Sequence, residues 1–105
     1  MATYDLPLGS ERVIDGILYD RTQTVRVDGD RLASRSELLG ADGSRGFTET
    51  LYYTSDRRLV VHVDNWSKLG GQMSTFSLVE ISRADLSPGG RFEVLGRDAW
   101  AWLRA

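Results

Sequence analysis

The single imidazole of the chain is His62, and Asp64 follows it two residues on, in the segment HVDNWSKLGGQM over residues 62–73. Residues two apart on a strand share a face. The two side chains could therefore supply a general base with its orienting carboxylate, or two metal ligands. Neither set is complete. A zinc site takes three or four ligands, and the chain has no cysteine and no second histidine. His62 is expected to be a half-exposed strand histidine; no catalytic residue, metal ligand or cofactor is assigned.

Two carboxylate pairs, Asp28 with Asp30 and Glu49 with Asp64 across a hairpin, have the composition of a general acid and base. Carboxylates beside turns more often form and solvate those turns. The signatures of serine hydrolases, nucleotide P-loops, zinc proteases and dinucleotide-binding folds are absent from the sequence. What remains is suited to binding. Arg57 and Arg58 sit at a hairpin tip, where they could meet a phosphate or a partner carboxylate or simply protect an edge. Trp66, with Lys68 in the same segment, and Trp100 near the C-terminus have no evident core role, and exposed tryptophans are frequent interface anchors. The candidate surface is the 64–74 connection with Trp66 and Lys68, helped by Arg57 and Arg58, with Trp100 as a further site.

Composition narrows the partners. The chain has 105 residues, 41% of them hydrophobic and 27% charged, as in a single soluble globular domain. Thirteen basic residues against fifteen acidic ones give a net charge of -2, with no basic stripe. Direct nucleic-acid binding is not expected. No apolar run reaches the length of a membrane span, the opening MATYDLPLGSER has no apolar signal core, and cysteine is absent. The expected location is the cytoplasm, without membrane contact.

The elements that must hold these residues read as β. Asp15-Gly16, Asp28-Gly29 and Asp42-Gly43 are turn dipeptides. The first predicts a hairpin or a bulged strand. The second predicts a hairpin of residues 24–27 with 30–33, placing Val25 opposite Leu32. The third predicts a surface loop, after a short helical turn at Leu38 and Leu39. Residues 47–54 and 58–64 form the strongest strand pair, closed by Ser55-Asp56-Arg57. If Thr54 pairs with Arg58, Leu51, Tyr53, Leu59, Val61 and Val63 make the core face. Thr50, Tyr52, Val60, His62 and Asp64 then share the other face, solvated or covered by another element. The Gly70-Gly71 pair opens a connection that either presents Trp66 or buries it. Residues 74–82 alternate as a strand, and 91–95 as a short one. Leu95, Ala99, Trp102 and Leu103 share a helical face, predicting a short C-terminal helix with Asp98 in its first turn and Arg104 in its last. The expected fold is α+β: a twisted antiparallel meander of six to eight short strands with a C-terminal helix packed on it. Residues 1–105 form one domain, and 1–10 an irregular N-terminal arm.

Three segments, Gly16 to Thr22 (GILYDRT), Glu49 to Thr54 (ETLYYT) and Leu59 to His62 (LVVH), carry a resemblance. They resemble a group of small uncharacterised phage and plasmid proteins with a Y-D-T segment, an E-T-L-Y-R-T strand, a glycine-containing turn and a strand ending in Leu-His. Arg57 stands where that group has its turn glycine. The resemblance implies a mobile-element accessory protein that acts by binding a host protein, inhibition of a CRISPR-type defence complex being one such role. The alternatives are a self-assembling accessory protein, a homodimer among its forms, and a small hydrolase-like enzyme built on His62.

Overall fold

The computed structural model describes residues 2–69 and 71–103; Gly70 and Arg104 lie outside the described residues. Five antiparallel strands follow one another around a closed barrel: β1 (Ala2–Ile14), β2 (Ile17–Leu39), β3 (Arg45–Thr54), β4 (Leu59–Ser67) and β5 (Gln72–Ile81). The barrel closes where Gly9–Val13 of β1 pair with Gln72–Phe76 of β5. A 3₁₀ turn (Arg83–Leu86), α1 (Glu93–Asp98) and α2 (Trp100–Leu103) come after it. The antiparallel sheet and short C-terminal helical segment match expectation. The open meander of six to eight short strands does not: the sheet has five strands and closes.

The difference in strand count arises at Asp28-Gly29. At Asp15-Gly16 both residues take left-handed dihedrals (φ 51° and 77°), as a two-residue hairpin turn requires. Asp28 does not, and β2 runs straight through the second dipeptide for 23 residues. Gly29 pairs with Ala2 on one side and Thr54 on the other. A Cβ there would lie 2.0 Å from the Tyr53 carbonyl oxygen. This glycine permits a close strand approach at the barrel corner, where β2 leaves β1 and takes up β3. A bulge between Arg31 and Ala33 bends β2 further. Val25 and Leu32 thus lie along one strand, and Leu38 and Leu39 end it without a helical turn.

The N-terminal segment is not the irregular arm expected over residues 1–10. From Ala2 onward it is strand, paired with β2 through both Pro7 and Gly9 (φ 112°). Proline has no N–H to give a neighbour, and β1 pairs with β5 only from Gly9 on.

The β3–β4 hairpin has the expected register, with Tyr53 opposite Leu59 and the Thr54 N–H bonded to the Arg58 carbonyl. Both of its faces are buried. Leu51, Leu59 and Val61 meet Leu86, Phe92, Leu95 and Ala99 of the helical segment. Tyr52 and Val60 meet Leu6 and Val27 inside the barrel. Residues 91–95 are not a strand: Phe92, Leu95, Ala99 and Leu103 recur at helical spacing and cover the sheet. Asp98 ends α1 and is not in its first turn. Gly96 permits the contact with the 3₁₀ turn, since a Cβ would stand 1.9 Å from the Leu86 carbonyl oxygen.

Candidate functional site

His62 lies inside the barrel, buried at 8% exposure, which corrects the half-exposed placement. Its Nε2 is 2.8 Å from the Pro7 carbonyl oxygen, and its ring stacks at 6.1 Å on Phe76. The ring nitrogen donates to that carbonyl, so Nε2 is committed to holding β1 where the β1–β5 ladder stops. Asp64 shares its face without a hydrogen bond to it, and Asp64 Oδ1 is buried with no partner among the described residues. Burial pushes the Asp64 carboxyl above its ordinary range, against a smaller opposite pull from His62. No group of three metal-ligating side chains occurs among the described residues.

Of the two carboxylate pairs, Asp28 and Asp30 lie two apart along β2, whereas Glu49 and Asp64 are separated. Thr48 stands opposite Asp64 and Val63 opposite Glu49, so Glu49 and Asp64 point to different faces of the hairpin. Glu49 accepts from Arg35 at 3.3 Å, and Asp28 accepts from the Thr3 hydroxyl at 2.7 Å.

The binding candidates fall into three places. Arg57 (φ 66°) and Arg58 close the β3–β4 turn, where Arg58 pairs with Asp56 at 2.9 Å. The Asp56 carboxyl is held low, first by the Thr54 hydroxyl and then by Arg58. Trp66 and Lys68 lie at the other end of the nine-residue β4, roughly 25 Å away at strand rise. One continuous surface does not contain both sets. The 64–74 connection is also shorter than expected, because β4 runs to Ser67 and β5 begins at Gln72. Trp66 folds back over Gly46, where a Cβ would come within 2.6 Å of the indole, and the Lys68 ammonium stands 5.9 Å from the ring centroid. The Lys68 N–H bonds to the Ser44 carbonyl at 2.7 Å. Trp102 packs on Tyr53, whereas Trp100 is 57% exposed on α2.

A group of exposed apolar residues lies elsewhere. The β1–β2 hairpin closes one residue beyond its last β5 pair, Val13 with Gln72, and the β2 edge of this arm has no second strand neighbour among the described residues. At its end Ile14 (37%), Ile17 (56%), Leu18 (58%) and Tyr19 (52%) are exposed, with Met73 of β5 (38%) beside them. A groove of about 450 Å³ runs along it, lined by Ser10, Glu11, Arg12, Ile14, Tyr19, Arg21 and Met73. One signal in the sequence marks this site. Ile17-Leu18-Tyr19 is apolar on both strand parities, which requires cover on both faces, and no element of the described chain supplies it.

From Leu18 to Arg26, β2 has β1 as its single strand neighbour among the described residues. Part of that edge is already occupied. The Thr22 N–H donates to Asp20 Oδ1 at 2.9 Å and the Thr22 hydroxyl to the same oxygen at 2.6 Å. These bonds hold the Asp20 carboxyl below its usual range and occupy an amide that strand addition would need.

The fold and site define a small closed antiparallel barrel with a helical cover and an exposed apolar hairpin arm. Comparisons with protein families, curated proteins and solved structures give no match to the chain.

Proposed function

We propose that this protein acts by binding another protein through the end of its β1–β2 arm. One observation carries the reading: Ile14, Ile17, Tyr19 and Met73 are exposed together on one face of a hairpin anchored to a closed barrel, with Leu18 exposed on the other face. Contiguous apolar exposure on a rigid element is the usual mark of an interaction site, and a pre-ordered arm loses little conformational freedom on docking. The capped edge at Asp20 and Thr22 disfavours self-assembly by strand addition. The buried Nε2 of His62 likewise disfavours the hydrolase alternative. Taken with the resemblance to phage and plasmid proteins, the partner is a host protein, and inhibition of a CRISPR-type defence complex is the role we favour.

The test uses immobilised protein and host lysate. A partner retained by the wild-type chain and by Trp66→Ala, but lost with Ile17→Asp and Leu18→Asp together, supports the arm. Equal retention by the folded arm variant overturns it.

A further inference from the structure

The arm groove has a chemistry of its own, and the following rests on the arm being the binding surface. Directly opposed pairs on one face of the hairpin are Ile14 with Ile17, Arg12 with Tyr19, and Ser10 with Arg21. Arg12 and Arg21 are therefore diagonal neighbours, about 7–8 Å apart at their backbones. Neither has a carboxylate within ion-pair distance among the described residues. Arg12 makes one weak contact, from its guanidinium to Met73 Sδ at 3.5 Å. Glu11 lines the same groove without pairing with either.

We infer that this groove takes an extended acidic segment of the partner protein, with carboxylates two residues apart and an apolar residue two further on. Alternate residues of a strand are about 6.6 Å apart, close to the diagonal backbone spacing of Arg12 and Arg21. A guanidinium holds a carboxylate by paired N–H donors. The next residue on that face would then rest on Ile14, Ile17 and Met73. A nucleic-acid strand fits less well. Two arginines and one aromatic ring make neither a phosphate track nor a stacking platform, and the chain carries a net charge of -2. The Asp20 bond to the Thr22 N–H limits backbone pairing, so recognition falls to side chains.

The test is fluorescence anisotropy on the whole protein with three labelled probes: Ser-Leu-Ser-Glu-Ser-Glu-Ser, the same peptide with lysine for glutamate, and oligothymidylate. The acidic peptide is expected to bind, the lysine peptide to bind at least tenfold more weakly, and added salt to weaken the acidic complex. Arg12→Glu with Arg21→Glu should weaken it at least tenfold. Arg12→Gln with Arg21→Gln, which removes the charge without reversing it, serves if the reversal impairs folding. Equal binding of the acidic and lysine peptides, tighter binding of oligothymidylate, or binding unaffected by both arginine pairs overturns the acidic ligand. If the acidic peptide fails while Ile17→Asp with Leu18→Asp still abolishes partner capture, the ligand class is wrong and the arm stands. If those variants capture normally, the arm falls with it.

Discussion

His62 Nε2 reaches the Pro7 carbonyl oxygen at 2.8 Å, joining β4 to β1 across the barrel interior over 55 residues of sequence. Pro7 cannot donate to β5, and the β1–β5 ladder begins two residues later at Gly9. The imidazole thus substitutes for a missing rung. His62→Phe should preserve most of the volume but orphan a buried carbonyl, costing about 1–3 kcal/mol, and His62→Ala should cost more through the cavity it leaves. Urea unfolding measures both. Unchanged midpoints would place His62 outside the structural frame.

Asp64→Asn should stabilise the protein near neutral pH. Burial raises the folded-state pKa of the carboxyl above its unfolded value, so the ionised form costs stability above the folded pKa. That cost disappears as pH falls through the folded pKa. The asparagine variant should therefore melt higher than wild type at pH near 7, and the two should converge in acid. Thermal melts across this range check the sign.

Arg57 occupies the left-handed position of the β3–β4 turn (φ 66°), where glycine is unstrained. Arg57→Gly should raise stability by roughly 0.5–1 kcal/mol, read from the denaturation midpoint. A loss would mean that the arginine side chain stabilises the turn by more than its backbone costs.

Gly29→Ala distinguishes a turn from a barrel corner. In a solvent-exposed hairpin turn the added methyl would meet open space, as at Gly16; here it meets the Tyr53 carbonyl oxygen at 2.0 Å and Thr54 Cα at 2.8 Å. The expected cost is about 3 kcal/mol or more. Wild-type stability in this variant would contradict the continuous β2.

What was legible in the sequence was local. Alternation of aromatic and β-branched residues in β3 and β4 specified their pairing and both faces, and Asp15-Gly16 marked a real turn. The identical dipeptide at 28–29 carries the same local signal, and only its neighbours Ala2 and Thr54 show why glycine is needed there. Pro7 and Gly9 broke the strand pattern of β1, so the closing strand read as irregular. Closure itself depends on partners such as Gly9 and Phe76, which no local window contains. Tryptophan is a frequent interface anchor, yet Trp66 covers Gly46. The run Ile17-Leu18-Tyr19 marks a strand in any local window, and only the closed barrel shows that it is left without cover.

Site-specific photo-crosslinking tests the central claim most directly. A benzophenone side chain placed at Ile17 and, in a separate variant, at Trp66 is irradiated in host lysate. Arm-mediated binding predicts one crosslinked partner from position 17 and none from position 66. A partner crosslinked from position 66 and absent from position 17 would contradict it.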